Sequence, residues 1–269
     1  MAKVTSPTDQ NSRSHGDRGE TGYGHDLAFE FISSIDQRPS REIVLKPTVR
    51  HYLSEIGIAG KAAVDLACGN GDFTRLLAEM GVGSVLGVDA SRDLLTDASK
   101  RSGHGIAYRE ADLAVAQNLG QFDVAIGIFF LHYARSVDEL RTMIRNVSVS
   151  LRPGASFLAA VNNPFSPLRP PGKFDRAIVP EVQDKPLEEG DRLQVIKMRA
   201  GTVQTKVTIH YYPPERYVQL LKEAGFDEIE WLPLRVDRAK VPQGQEQHWN
   251  DYVDENEPAI LRCKLREAV

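Results

Sequence analysis

From Val64 to Asp72 the chain reads VDLACGNGD, and nothing else in its 269 residues constrains the fold as tightly. An apolar run, Ala62 to Ala67, ends in two glycines one residue apart, and a helical pattern, Phe73 to Met80, begins at once. A strand that hands over to a helix through glycine is the ligand-binding turn of an open α/β sheet. No Cβ blocks the approach of the backbone to a ligand. The first N–H groups of the helix lack partners and carry its positive dipole end. Ligands in such sheets bind beyond the carboxyl ends of the strands, where strand order reverses. By itself the turn suits NAD, FAD, a phosphate or an adenosyl ligand.

Strand and helix patterns alternate on both sides of it. Ser84 to Asp89, Ile106 to Arg109, Phe122 to Phe129 and Ala155 to Val161 read as strands. Ser91 to Arg101, with Ser91 as its N-cap, and Val137 to Leu151, closed by Pro153 and Gly154, read as helices. This alternation predicts an α/β fold with a doubly wound parallel sheet covered on both faces.

The regularity stops at Asn162. Pro164, Pro167, Pro170, Pro171, Pro180 and Pro186 punctuate a stretch that reads as an irregular covering segment. Leu193 to Arg199 and Val203 to Tyr212 alternate apolar and polar residues around Ala200-Gly201, a hairpin signal. A helix over Pro214 to Ala224 stops at Gly225, and strands follow over Phe226 to Leu234 and Pro258 to Leu265. Residues 162–212 are therefore expected to form a cap and hairpin inserted after the fifth strand. Residues 1–20 read as a disordered leader and 21–57 as a helical lid with breaks, leaving 21–269 as one domain.

Composition narrows the partner. Lysine plus arginine number 33 against 37 for aspartate plus glutamate, so the net charge of −4 gives no footprint for nucleic acid. No apolar run approaches the roughly 20 residues that span a bilayer. The polar N-terminus lacks the apolar core of a signal peptide, which makes a cytoplasmic location the expectation, with no membrane partner. Cys68 and Cys263 form neither a disulfide framework nor a CxxC site, and no His/Cys/Asp cluster argues for a metal. A small-molecule partner is what these exclusions leave; oligomeric state has no signature in the sequence.

Three details sharpen the ligand. The third glycine of the dinucleotide fingerprint is replaced by Thr74. Asp65, inside the strand, would repel a pyrophosphate and attract an ammonium or sulfonium group. Asp89 ends the second strand, where an acid can accept both ribose hydroxyls, and Asp112 follows the third, within reach of an adenine amino group. Together they suit a cationic adenosine ligand without phosphate.

With these residues in view, VDLACGNGD, the later GVDAS, the EADL turn and FDVAIGIFFLHYA resemble class I S-adenosylmethionine-dependent methyltransferases. The resemblance runs from about Tyr23 to the C-terminus. VNNPF, IHYYPPERYVQLLKEAGF and EIEWLPLRV further resemble the toxoflavin-synthase-like branch, small-molecule methyltransferases of secondary metabolism, antibiotic biosynthesis included. It implies a Rossmann-like, mostly parallel sheet of seven strands with S-adenosylmethionine as cofactor. Asp65, Ala67, Gly69 and Gly71 would line its methionine half. Asp89 would hold the ribose with Ala90 beside the adenine, and Asp112 and Leu113 would frame the adenine edge. The Ile128 carbonyl would meet the ligand amine, Arg41 its carboxylate, and Tyr23 would belong to the lid. Three positions depart from the pattern: Gly24 and His25 follow Tyr23 in place of an acid, Asn70 stands where an acid is common, and His132 where asparagine often is.

Phe129, Phe130, His132 and Tyr133 follow the fourth strand on the ligand side, as substrate-pocket or as core residues. His132 is the candidate proton acceptor, with orientation of the acceptor or a structural role as alternatives. Asn162 and Asn163 end the fifth strand, to bond substrate or to make a turn. Tyr211 is a further pocket candidate in an aromatic second half, and Cys68 reads as a small turn residue. The expected activity is methyl transfer to nitrogen or oxygen of a small, heteroaromatic metabolite. The alternatives are cyclisation of S-adenosylmethionine to azetidine-2-carboxylate and methylthioadenosine, non-catalytic S-adenosylmethionine binding, and an NAD-dependent oxidoreductase, against which Thr74 and Asp65 both argue.

Overall fold

The computed structural model describes residues 39–170, 176–199, 202–255 and 258–267. Seven strands make the central sheet: β1 (Ala62–Leu66), β2 (Ser84–Asp89), β3 (Ile106–Glu110), β4 (Phe122–Ile128), β5 (Leu151–Val161), β9 (Phe226–Leu232) and β10 (Ala259–Leu265). Their spatial order is β3-β2-β1-β4-β5-β10-β9. The first five run parallel, and β10 lies antiparallel to both β5 and β9. The order reverses between β1 and β4, where such sheets hold ligands.

The two-residue period of a strand sorts the core. Val64 and Leu66 point to one face with Ala125, Phe157, Ala159 and Leu261. That face is covered by α4 (Val137–Val149) and α5 (Pro214–Glu223). Ala63, Val124, Ile126, Leu158 and Ile260 point to the other, under α1 (Lys46–Ile56), α2 (Asp72–Glu79) and α6 (Glu246–Asp254). α3 (Arg92–Lys100) starts at Ser91, whose Oγ accepts from Leu94 N at 3.3 Å. A π-helical turn, Arg41–Leu45, leads into α1.

The segment after β5 is more regular than its prolines suggest. β6 (Arg176–Pro180), β7 (Arg192–Arg199) and β8 (Thr202–His210) form a separate antiparallel sheet in that order. β6 is an edge strand, and Pro180 is its last residue, a place where a missing N–H is tolerated. The β7–β8 pairing matches the expected hairpin; its turn, residues 200–201, lies outside the described residues. β5 starts at Leu151, so Pro153 and Gly154 lie inside a strand and not at a helix end; the β4–β5 register shifts there. Residues 1–20, Tyr23 and the lid up to residue 38 also fall outside the described residues.

Candidate active site

Every parallel strand delivers a residue to one cavity of about 790 Å³ at its carboxyl end, within the ~300–1,000 Å³ of ligand pockets. β1 supplies Asp65 and, just beyond it, Ala67, Cys68 and Gly69. β2 supplies Asp89 and Ala90, and β3 leads to Asp112 and Leu113. β4 gives Ile128, Phe129 and Phe130, and β5 gives Asn162.

The first turn alternates left-handed residues, with φ of +56° at Ala67, +56° at Gly69 and +75° at Gly71. Ala67 is unusual there, because a Cβ disfavours that region. The turn is held by Cys68 N donating to Val88 O at 2.9 Å and Gly71 N to Cys68 O at 3.0 Å. Asp89 joins two strand ends: Oδ2 accepts from Gly69 N at 2.8 Å and Oδ1 from Ser91 N at 2.9 Å. Burial raises its carboxyl above the ordinary range even against these bonds. Gly71 itself is off the cavity wall. A Cβ there would lie 2.2 Å from Tyr108 Oη, so this glycine serves close packing under the turn.

Asp65 is 1% exposed. Burial pushes its carboxyl up to about 7; the hydrogen bond from Thr74 opposes that, and the charge of Asp89 adds to it. Thr74 Oγ1 donates to Asp65 Oδ2 at 2.6 Å. Arg41 Nε donates to Asp72 Oδ2 at 2.5 Å, and its guanidinium lies 4.6 Å from the Phe73 ring centroid, placing it on the cavity rim. Burial would raise the Asp72 carboxyl, but Arg41 and Lys46 together hold it below its usual value. After β3, Asp112 Oδ1 accepts from Ala114 N at 2.9 Å.

Beyond the turn, the cavity is walled by Phe129, Phe130, His132, Tyr133 and Met143, with Val195, Val207 and Ile209 of the small sheet. Phe129 is left-handed, φ +61°, pinned by its N–H to Ala160 O at 2.8 Å. His132 Nδ1 accepts from Asn162 N at 3.1 Å. Arg135 and Glu139, also on the wall, pair through two-pronged bonds of 3.0 to 3.2 Å. Asn163 and Tyr211 are elsewhere. Asn163 braces a turn, donating to Glu255 O and accepting from Phe165 N, and Tyr211 packs beside Ile178 and Leu193.

Sequence reasoning missed three contributors. Thr74 was legible only as a missing glycine. Asn146 of α4 ties the loop after β3, donating to Leu113 O at 3.0 Å and Val115 O at 2.8 Å; a lone polar residue amid the helix's apolar stripe was its one signal. The Arg135–Glu139 pair carried only the i,i+4 spacing of any surface helix pair. Among the described residues, no group of three His, Cys, Asp or Glu side chains could hold a metal, and no helix is long and apolar enough to cross a membrane.

This strand order and the turn after β1 are those of the fold found in solved S-adenosylmethionine-dependent methyltransferases. Residues 63–154 match the family described as methyltransferase domain. A ubiquinone biosynthesis O-methyltransferase from Methylococcus capsulatus is 32% identical over 111 residues, covering 39% of this chain and 45% of that one. A solved S-adenosylmethionine-dependent methyltransferase from Mesorhizobium loti superposes with a TM-score of 0.55 at 22% identity, over 85% of this chain and 99% of that one. A sugar N-methyltransferase from Streptoalloteichus sp. does so with 0.57 at 19%, over 99% of both. The chain spans about half the length of the curated relatives it matches, 59% and 45% for the first two. The cofactor of the class is S-adenosylmethionine, and the residues fit it. Among the described residues, Asp65 is buried on the wall with no cation bonded to it, and the buried Asn70 Nδ2 has no hydrogen-bond partner.

Proposed function

We propose that this protein transfers a methyl group from S-adenosylmethionine to a nitrogen or oxygen of a small aromatic or heteroaromatic metabolite. One observation carries the reading: the cavity that starts at the acid-edged turn continues into a compartment walled by Phe129, Phe130, Tyr133 and Met143. That leaves room for a flat acceptor beside the sulfonium.

When bound, S-adenosylmethionine supplies an already activated methyl group. The chain's own part is alignment and exclusion of water, and ideal alignment is worth ~7–11 kcal/mol of barrier. Asp65 would face the cationic half, Arg41 the carboxylate and Asp89 the ribose. Asp112 and Leu113 would border the adenine, with Ala67, Gly69, Ala90 and Ile128 in backbone contact. Residues 162–212 would act as the cap that sets acceptor choice, and 21–57 as the lid. The resemblance to the toxoflavin-synthase-like branch, and relatives named for ubiquinone biosynthesis, favour a planar ring as acceptor. A cytoplasmic setting accords with such a role.

Calorimetry with S-adenosylmethionine, S-adenosylhomocysteine and NAD in parallel tests the cofactor; binding of NAD alone would overturn the proposal. Incubation with S-adenosylmethionine and a panel of hydroxy- and aza-aromatics tests the reaction. Release of methylthioadenosine without an acceptor would replace methyl transfer by cyclisation.

A further inference from the structure

We propose that Asp72 is a positioning residue: it fixes the Arg41 guanidinium at the cavity rim, where that charge selects a ligand whose amino-acid end keeps its carboxylate. The inference rests on the reading of this cavity as an S-adenosylmethionine site.

Arg41 opens the π-helical turn before α1, and Asp72 is the first residue of α2. An arginine side chain has many rotamers in water, and ordering one costs entropy. Here the ordering is done by the protein. Arg41 Nε donates to Asp72 Oδ2 at 2.5 Å, with the two side chains only 14% and 15% exposed. The guanidinium also stands over the Phe73 ring, 4.6 Å from its centroid. The bond to Asp72 uses Nε and not the terminal Nη pair. Arg41 and Phe73 border the cavity, and Asp72 lies behind them. Burial dominates the Asp65 carboxyl on the wall, and among the charges acting on it Arg41 favours the ionised form, so the guanidinium is within electrostatic reach of the site.

The charge balance at this rim leaves room for an anion. Asp72 Oδ1 also meets Lys46 Nζ at 3.0 Å and Arg75 Nη2 at 3.7 Å. Lys46 reaches Glu42 at 2.5 Å, and Lys240 joins Glu42 and Asp237 at 3.4 and 4.0 Å. Among the described residues this linked group holds four cations (Arg41, Lys46, Arg75, Lys240) against three anions (Glu42, Asp72, Asp237), a surplus of one positive charge. Arg41 is the member of the group on the cavity wall. A ligand carboxylate there completes the balance. Without Asp72 the guanidinium keeps its charge but gains rotamers that carry it into water. A charge ordered before binding serves a ligand better than a mobile one.

The test is titration calorimetry of the full chain with S-adenosylhomocysteine and with its decarboxylated analogue, which keeps the adenosine, the sulfur and the amine. Asp72→Asn, which keeps the shape and removes the charge, weakens S-adenosylhomocysteine about tenfold and the analogue less than about twofold. Arg41→Gln costs at least as much, and the double variant costs no more than Arg41→Gln alone, as for two residues acting through one contact. Lys46→Gln removes a cation from the same group without touching the Arg41–Asp72 bond, and costs less than about threefold. Should Asp72→Asn fail to fold, Asp72→Glu displaces the charge by one methylene, and the same selective loss is expected. A merely structural Asp72 would weaken both ligands alike, and a general effect of charge would make Lys46→Gln match Asp72→Asn; either result overturns the proposal. Tighter binding of S-adenosylhomocysteine by Asp72→Asn also overturns it, by showing that Asp72 competes with the ligand for Arg41. If the folded parent chain binds both ligands equally, the inference alone falls; if it binds neither, the S-adenosylmethionine reading falls and the inference with it.

Discussion

Thr74 Oγ1 and Asp65 Oδ2 lie 2.6 Å apart, joining the first strand to the helix after the glycine turn. Among the described residues that bond is the only side-chain hydrogen bond to a carboxyl raised to about 7 by burial and by Asp89. An unfolded aspartate titrates near ~3.9, so the native state keeps its proton longer, and stability falls as pH rises from ~4 to ~7. A sulfonium favours the ionised form. Binding of S-adenosylmethionine should therefore release a proton below pH ~7, and affinity should climb towards that pH and then level off. S-adenosylhomocysteine, without the sulfonium, should show a shallower rise, and Asp65→Asn should flatten both. Calorimetry in two buffers of different ionisation heat reads the proton directly; uptake on binding would contradict this account.

Asp89 holds Gly69 and Ser91 by their backbone N–H groups, so its loss should loosen the turn as well as the proposed ribose contact. Hydrogen bonds to a charged group are worth about 1.5–3 kcal/mol each. Asp89→Ala should weaken S-adenosylhomocysteine binding by about 100-fold, since 1.4 kcal/mol is tenfold. Asp89→Glu should recover little of that. Titration calorimetry of both variants checks the pair.

Gly71 carries a left-handed backbone under Tyr108. Gly71→Ala should destabilise the protein by about 2–4 kcal/mol, combining overpacking with the cost of a Cβ at positive φ. Tyr108→Phe in the same chain removes the oxygen that a new Cβ would meet and should recover part of the loss. Urea melts of the single and double variants measure it.

Burial raises the thiols of Cys68 and Cys263 well above their ordinary value, so thiolate is scarce in the native state. Both should resist iodoacetamide at pH ~8 and react readily once the chain is unfolded. Mass spectrometry of native and denatured samples decides; rapid native labelling of Cys68 would show the turn to be open.

What could be read from the sequence was whatever is local to one strand–turn–helix unit. Asp65, Asp89 and the glycine turn are placed by register within a few residues, and the alternation of elements followed from apolar periodicity. What could not be read depends on how distant pieces stack. Gly69 and Gly71 look alike in sequence, yet one borders the cavity and the other clears a tyrosine 37 positions away. Val195, Val207 and Ile209 reach the wall because the small sheet folds over it, which no local pattern encodes. β6 was hidden by the prolines around it, and α6 by a narrow apolar stripe, chiefly Trp249 and Tyr252.

That small sheet arrives as one uninterrupted length of chain between β5 and α5. Exchange of this single segment would alter the cavity wall formed by Val195, Val207 and Ile209 while leaving β1, β2 and their acids untouched. A lineage built this way can vary what one side of its cavity admits through a single cassette, with the turn after β1 left as it is.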